Sequence, residues 1–131
     1  HIQRYRHNMN LWNMLKEKAQ EDVFGRTKID NVEYASEDKA LTAHTKRTAL
    51  KDDDGNSIEI MRQSMPYGDM KTQGLFFVSY CHSPEPFNVM LKSMIQGDGE
   101  GHYDHMLKYT EAQTGVAFFA PSLNFLASLG A

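Results

Sequence analysis

The sequence predicts an α+β protein in which one antiparallel sheet carries helices packed on one of its faces. Two observations indicate this class: several short segments alternate apolar and polar residues with a period of two, and one segment repeats its apolar residues with the spacing of an amphipathic helix. The chain has 131 residues, of which 40% are hydrophobic, which suits a single domain with a core.

The chain opens with a predicted strand over residues 1–6, followed by a helix that begins at Leu11. Asn10 is a plausible N-cap for this helix, and Gly25 suits the position just beyond its C-terminus. Trp12 is interpreted as an aromatic core anchor on this helix. The opening in mid-strand leads us to expect that the chain is a piece of a longer polypeptide.

Two cations follow the predicted helix end, in the turn from Gly25 to Lys28. Arg26 and Lys28 either interact with the helix C-terminus and solvent, or bind a carboxylate or phosphate. Residues 30–43 are acidic and polar without a clear period, which predicts an irregular surface loop. The loop leads to His44, and on its surroundings alone this histidine is expected to be an exposed polar residue.

A strand is predicted over residues 58–68, after a turn at residues 52–56. The triple aspartate of that turn does not fit a calcium loop, because the twelfth position is Gln63 rather than a glutamate. Within the strand, Arg62 and Ser64 share a face with two isoleucines. Since a buried guanidinium is costly without an anionic partner, this face either leaves the core at Arg62 or opens there onto something anionic or polar.

The next strand, residues 74–81, is apolar enough to be central and buried on both faces. A helix then follows, with Ser83 as N-cap, Pro84 at its first position and Gly97 at its end. Its apolar residues have the clearest helical spacing in the chain; they are Phe87, Met90, Leu91, Met94 and Ile95.

The last quarter of the chain is predicted to hold a short helix over residues 102–109, a strand over 115–120, and an apolar tail helix from Ser122 to Ala131 that docks on the body. The glycines at 97, 99 and 101 follow a helix and lack the dinucleotide-binding spacing. The histidines near Asp104 lack the spacing of a metal-binding helix. The resulting order, β-α-β-β-α-β, predicts a ferredoxin-like antiparallel sheet.

Composition narrows the possible partners. The formal net charge is −3 and the sequence has no basic stripe, so nucleic acid is not an expected partner. No apolar run approaches the roughly 20 residues that a spanning helix needs, so no membrane association is expected. A single cysteine, Cys81, fits a reducing compartment, and a cytoplasmic location is expected.

Along nearly all of its length, the chain resembles the C-terminal half of a class B dye-decolourising peroxidase. The order and spacing of its markers are specific, notably the 18-residue gap from His44 to Arg62. The markers are Gly25-Arg26-Thr27-Lys28, Ala43-His44, Arg62 with Met65-Pro66-Tyr67-Gly68, Gly74-Leu75-Phe76-Phe77, Pro84-Glu85-Pro86-Phe87 with Met90-Leu91, Tyr103-Asp104-His105-Met106-Leu107, and Phe118-Phe119-Ala120-Pro121-Ser122.

The resemblance implies a haem enzyme that uses haem b (iron protoporphyrin IX) to reduce hydrogen peroxide and to oxidise dyes or other bulky reductants. It implies that residues 1–131 are the C-terminal haem-binding, ferredoxin-like domain of a larger two-domain protein. His44 is then the proximal iron ligand rather than a merely exposed residue. Asp104 is the carboxylate that holds the other ring nitrogen of that histidine.

The resemblance also assigns the residues around the other haem face. Arg62 is the distal arginine, whose charge stabilises the anion that develops as the O–O bond breaks. Arg26 pairs with a haem propionate. Leu75 and Phe77 line the distal pocket and keep it dry, and Ser64 stands where family members often carry asparagine, so the hydrogen bonds it offers to water or peroxide differ.

One departure concerns the acid–base machinery. The distal aspartate of the family lies in an upstream Gly-x-x-Asp-Gly motif that is absent from these residues, so the proton shuttle is expected to belong to another part of the protein. Two alternatives to a peroxidase remain: a haem-binding protein for storage, delivery or iron removal, and a ferredoxin-like module without haem. A homo-oligomer is expected because ferredoxin-like sheets leave edges that pair, and an enclosing shell protein is a further candidate partner.

Overall fold

The computed structural model describes residues 1–130 and consists of a four-stranded sheet with five α-helices. The strands are β1 (Ile2–His7), β2 (Met61–Gly68), β3 (Gln73–Tyr80) and β4 (Thr110–Val116). The α-helices are α1 (Met9–Asn13), α2 (Glu17–Phe24), α3 (His44–Thr48), α4 (Glu85–Gln96) and α5 (Leu123–Ser128), and a 3-10 helix spans His105–Lys108.

The sheet confirms the predicted α+β, ferredoxin-like class. Its strand order is β2-β3-β1-β4 and every pairing is antiparallel, so the strand nearest the start of this chain lies inside the sheet. Register sets which side chains share a face. Ser64 lies opposite Phe77, and Phe77 lies opposite Gln3 across the next pair, so these three residues share the face that α4 covers.

The core lies between this face and the helices. The buried apolar residues come from three helical segments, and they are Val23, Ala43, Phe87, Met90 and Met94. Three of the five belong to α4, as its apolar spacing predicts. None of the helices within residues 1–130 is long and apolar enough to cross a membrane.

The predicted first helix is two helices. Asn8, rather than Asn10, caps α1, since its side-chain oxygen accepts a hydrogen bond of 3.1 Å from the Leu11 backbone N–H. Extended backbone at Lys16 then separates α1 from α2. The buried Gln20 side chain donates to the backbone oxygen of Trp12 at 3.0 Å, which satisfies a carbonyl at the end of α1.

Other bounds also differ from the prediction. Helix α4 begins at Glu85 with Pro84 as its cap, β2 begins at Met61, and β3 is only partly buried. β4 begins five residues earlier than predicted, because Thr110 to Val116 pair with β1 although they are mostly polar.

The tail helix is shorter than predicted and does not dock: its apolar side chains are 40–83% exposed. The predicted last residue of that helix, Ala131, lies outside the described residues.

Candidate haem site

A hydrogen bond between His44 and Asp104 forms the centre of the candidate site. His44 Nδ1 lies 2.6 Å from Asp104 Oδ2, although the two residues are 60 positions apart in the chain. Asp104 is fully buried, whereas the His44 side chain is 22% exposed. Because the carboxylate occupies Nδ1, the other ring nitrogen, Nε2, is left as the available ligand atom of His44.

Helix α3 positions His44. His44 is the first residue of this helix and follows Ala43, which is completely buried. The Thr45 hydroxyl donates to the Phe24 carbonyl at 2.9 Å, which links α3 to the end of α2. The Ser93 hydroxyl donates to the Arg47 carbonyl at 2.7 Å, which links α3 to α4. Contacts with two neighbouring helices therefore hold a helix of only five residues.

The polypeptide around Gly97 brings Asp104 back to this point. Gly97 ends α4 with φ of 69°, and a Cβ there would lie 2.6 Å from the His102 carbonyl oxygen, so only glycine permits the close return of the chain. The Asp104 backbone N–H then donates to the Met94 carbonyl at 2.9 Å. The second carboxylate oxygen of Asp104 accepts from the Met106 N–H at 2.9 Å and caps the 3-10 helix. Backbone contacts therefore hold the carboxylate in place in addition to its bond with the imidazole.

His44 opens onto a cavity of about 390 Å³, called here the inner cavity. It lies between the sheet and helices α3 and α4, and most of its exposed lining is apolar. Its lining includes the predicted residues His44, Arg62, Ser64, Leu75 and Phe77, together with Gln3, Tyr5, His7, Phe24, Thr48, Ile60, Phe87, Met90, Leu91, Met94, Met106 and Thr110. The structure therefore brings five of the predicted site residues around one space, with Asp104 directly behind His44.

The surroundings of Arg62 show where its strand face leads. Among residues 1–130, no carboxylate pairs with its guanidinium, and the residue is exposed. The face it shares with Ser64 and Phe77 opens onto the inner cavity. A cation without a partner at the wall of an apolar space suits an anionic ligand better than a neutral one.

A neighbouring cavity of about 520 Å³, called here the side cavity, shares His44, Arg62 and four further lining residues with the inner cavity. Arg26 lines the side cavity. Its guanidinium donates to Glu33 at 2.9 Å and to the Asn31 side chain at 2.9 Å. Arg26 is thus at the edge of the site, as expected of a residue that meets the rim of a ligand. Its assignment to a propionate stays a prediction.

The inner cavity also contains polar residues that sequence reasoning missed. The Tyr5 hydroxyl donates to the Gln3 side chain, and burial, with a smaller contribution from the charge of Asp104, raises the pKa of the phenol. His7 Nδ1 lies 2.9 Å from the Thr110 hydroxyl, and burial lowers the pKa of its imidazole. Alternation along β1 could have identified Gln3, Tyr5 and His7 as one face, but the polar strand β4 gave no signal that Thr110 would close the same cavity.

The residues present fit a haem group. One imidazole nitrogen is available for iron, the walls are largely apolar, and the Arg62 guanidinium on the opposing strand has no carboxylate partner within the described residues, 1–130. This combination defines the class of protein: an α+β domain with a carboxylate-backed histidine at the wall of an apolar cavity.

Residues 1–125 match the family described as Dyp-type peroxidase, C-terminal. The chain therefore belongs to this family. It is 38% identical over 128 residues to the dye-decolorizing peroxidase of Mycolicibacterium paratuberculosis, a match that covers 96% of this chain and 36% of that protein. It is 37% identical over 127 residues to the enzyme of Rhodococcus erythropolis, with coverage of 95% and 37%. The chain thus spans little more than a third of the length of these relatives.

Solved structures of Dyp-type peroxidases also superpose closely on this chain. A putative Dyp-type peroxidase from Shewanella oneidensis superposes with a TM-score of 0.92 at 57% identity and covers 97% of this chain and 41% of that one. A variant of DypB from Rhodococcus jostii in complex with heme superposes with a TM-score of 0.92 at 37% identity, with coverage of 98% and 42%. The encapsulated Dyp-type peroxidase from Mycobacterium smegmatis gives a TM-score of 0.90 at 36% identity, with coverage of 95% and 41%.

Proposed function

We propose that this chain binds haem b in the inner cavity and acts as the haem-binding domain of a cytoplasmic peroxidase that reduces hydrogen peroxide and oxidises dyes or other bulky organic reductants. The observation that carries the proposal is the buried Asp104 carboxylate 2.6 Å from His44, at the wall of an apolar cavity that also contains Arg62. A heme-bound relative of the same fold supports the choice of cofactor.

Each site residue of this chain would have its own role toward haem or peroxide. His44 Nε2 would bind the iron, and bound haem supplies the redox chemistry with peroxide. Asp104 holds the Nδ1–H and gives the ring anionic character, which strengthens its donation to a metal. Arg62 would stabilise negative charge on the peroxide oxygens and orient them, and the Ser64 hydroxyl can hold peroxide or water beside it. Leu75 and Phe77 would exclude bulk water.

The family resemblance places a proton-transferring aspartate upstream of these residues. The proposal therefore assigns peroxide turnover to the complete protein, with this chain as the domain that holds the cofactor. Assembly into a homo-oligomer and enclosure by a shell protein belong to the same proposal. The encapsulated relative from Mycobacterium smegmatis supports the second of these.

A substitution at Arg62 tests the enzymatic part of the proposal. In the full-length, haem-loaded protein, Arg62→Ala should lower kcat/KM for peroxide by about 100-fold or more, because the charge that stabilises the developing anion is lost. Arg4→Ala is the matched control, since Arg4 lies on the same sheet but stacks over Tyr67 on the opposite face. Stopped-flow absorbance of the haem band reports the reaction with peroxide.

The outcomes separate the two haem hypotheses. Haem uptake by the wild type without peroxide-dependent dye oxidation would favour the storage or delivery function and remove the peroxidase. A wild type that takes up no haem, with a spectrum equal to that of His44→Ala, would remove both. His82→Ala, an exposed histidine outside the cavity, should bind haem as the wild type does.

A further inference from the structure

A single pair of side chains separates two cavities at one end of the sheet. His7 is the last residue of β1 and Thr110 is the first residue of β4, and the pairing of the two strands places them directly opposite each other. His7 Nδ1 lies 2.9 Å from the Thr110 hydroxyl oxygen. Thr110 is buried and His7 is half-buried, so the pair lies where the core meets the surface.

The inner cavity lies on one side of this pair. On the other side lies a polar surface groove of about 540 Å³, called here the outer groove. Among residues 1–130, only His7 and Thr110 line both spaces. The wall between the groove and the inner cavity is therefore one hydrogen-bonded pair thick at this point.

The hydrogen bonds of the pair determine which imidazole nitrogen carries the proton. The Thr110 hydroxyl donates to the Arg6 carbonyl oxygen at 3.4 Å, so its own oxygen accepts from His7. The hydrogen of the neutral ring then lies on Nδ1, and Nε2 keeps a lone pair that can take up a proton. Burial lowers the pKa of His7, which favours this neutral form near neutral pH.

The charged and titratable groups that face His7 leave it as the side chain able to exchange protons between the two spaces. In the outer groove they are the paired Arg6 and Glu111, together with Lys71, Lys108 and Tyr109. In the inner cavity they are Tyr5, His44 and Arg62. Lysine, arginine and tyrosine keep their protons near neutral pH, and an ionised glutamate has none to give. His44 uses Nδ1 for Asp104 and, in the proposed function, Nε2 for iron.

Polar side chains continue from the pair along the floor of the inner cavity. Tyr5 and Gln3 follow His7 at every second position of β1, so the three share one face. The Tyr5 hydroxyl donates to the Gln3 side chain. Gln3 is level with Ser64 in the sheet, with only Phe77 between them. The row thus leads from the pair toward the strand that carries Ser64.

Peroxide reduction needs a supply of protons inside the inner cavity. Two electrons and two protons convert one hydrogen peroxide to two waters. The electrons come from two reductant molecules, and a reductant such as ferrocyanide gives no proton with its electron. An upstream aspartate can pass a proton from one peroxide oxygen to the other, but this transfer adds none. Both protons therefore come from solvent.

We propose that His7, together with Thr110, is a proton inlet of the inner cavity. The proposal rests on the proposed function, because peroxide reduction at the haem consumes the protons. A proton from water in the groove binds Nε2 of the neutral ring and makes the ring a cation. The ring returns to neutral when one of its N–H groups gives a proton to the cavity. Each peroxide draws two such passages, and no other bond of the pair changes.

Sequential-mixing stopped flow tests the inlet. Full-length, haem-loaded protein is mixed first with hydrogen peroxide and then with ferrocyanide, and the haem absorption band is followed. The reaction with peroxide takes up no net proton, whereas the return of the band with ferrocyanide takes up both. His7→Gln should leave the first phase within about twofold of the wild type and slow the second about tenfold or more, because glutamine keeps a donor for Thr110 but cannot titrate.

The pH dependence separates proton supply from a merely structural effect. In His7→Gln the second phase should accelerate as the pH falls from about 8 to about 6, because hydronium then replaces the lost imidazole, and the wild type should change less. Thr110→Val lacks the hydroxyl and should change in the same direction as His7→Gln, whereas Thr110→Ser should match the wild type. His82→Gln is the matched control, because His82 is exposed and lines neither space.

Nuclear magnetic resonance tests the geometry without turnover. Full-length protein with ¹⁵N-labelled histidine is loaded with metal-free protoporphyrin IX, which leaves the resonances free of paramagnetic broadening. The His7 resonance is assigned by its absence in His7→Gln. We expect a neutral ring with its proton on Nδ1 and a pKa below the ordinary value of 6.5. A proton on Nε2 would overturn the inlet, because the lone pair would then face Thr110.

Two kinetic results would also overturn it. One is a second phase that is equal in His7→Gln and the wild type at every pH. The other is a slowed first phase alone, which would mean that the pair admits peroxide rather than protons. A wild type whose haem band does not respond to peroxide fails differently, because that result removes the proposed function itself. Thr110→Val carries the test if His7→Gln does not fold.

Discussion

At the scale of single residues, the site depends on a carboxylate that would be costly if left unpaired. Asp104 is fully buried, and its two side-chain oxygens accept hydrogen bonds from His44 and the Met106 N–H. A buried charge of this kind is tolerated only when partners satisfy it. The same bonds fix the imidazole orientation, so stability and ligand geometry come from one interaction.

Asp104→Asn should weaken haem binding by about 10–100-fold, because the amide keeps the shape but loses the charge that supports the ligand histidine. Titration of the full-length apoprotein with haemin, followed at the haem absorption band, measures the affinity. Asp98→Asn is a suitable control, since the exposed Asp98 bonds a half-buried histidine, His102, at 2.8 Å. Equal haem affinities for the two variants would contradict the role given to Asp104.

Several residue roles could not be read from spacing. His44 in a polar segment indicates only exposure, and the structure makes it significant because Asp104, 60 positions away, packs behind it. The family resemblance identified both residues. Neither source indicated that the Trp12 and Tyr109 rings would pack edge to face, because their contact joins α1 to the residue just before β4.

At the scale of elements, α2 and α3 meet at Gly25. This glycine ends α2 with φ of 75°, and a Cβ there would collide with the Thr45 hydroxyl and come within 3.3 Å of the Ala43 Cβ. The close approach lets the Thr45 hydroxyl reach the end of α2. The position of His44 therefore depends on the absence of a side chain at residue 25.

Gly25→Ala should lower the free energy of unfolding by about 1–2 kcal/mol from the left-handed backbone alone, with a further loss from the collision with Thr45. Gly55→Ala separates the two effects, because Gly55 has φ of 85° and no atom within 4 Å of the place that an added methyl group would take. Urea unfolding of both variants measures the difference. Equal losses would show that the packing of α3 on Gly25 contributes nothing.

Elements with strong local signals were predicted, and those that depend on tertiary pairing were not. Helix α4 follows its apolar spacing, and Gly25 ends α2 as expected. The short helix α3 was missed because five residues carry too little periodicity. β4 was placed too late, because its polar residues form a strand only by pairing with β1.

At the scale of the whole molecule, the cavity separates the sheet from helices α3 and α4. A domain with so much of its interior open to a ligand loses apolar contacts when the ligand is absent. Bound ligand stabilises the folded state by mass action, by about 2.7 kcal/mol at a concentration 100 times its dissociation constant. Cofactor binding and folding are therefore expected to be thermodynamically linked.

Two contributions to this stabilisation are expected: the bond from iron to His44 and apolar contact with the porphyrin ring. Comparing haemin with metal-free protoporphyrin IX separates them. Haemin should raise the unfolding midpoint more than the metal-free ring does, because only the iron can bind His44. In His44→Ala the two ligands should stabilise equally, through apolar contact alone. A persistent advantage of haemin in that variant would place the iron ligand elsewhere.

The overall class was predictable, since element order alone gives the β-α-β-β-α-β arrangement, and the observed strand order agrees with it. The cavity was not predictable, because its walls come from residues scattered between Gln3 and Thr110. Alternation within one strand shows which residues share a face, but not how far the opposing helix stands from it.

The interior place of β1 has a consequence for biosynthesis. Strand β1 leaves the ribosome well before its last neighbour, β4, which completes the pairing only when residues 110–116 emerge. Asp104, which packs behind His44, is translated barely ahead of them. Pairings between such distant parts of a chain form slowly. Completion of the proposed haem site is therefore a late event in synthesis, and premature release would yield a polypeptide that has His44 but lacks the carboxylate that supports it.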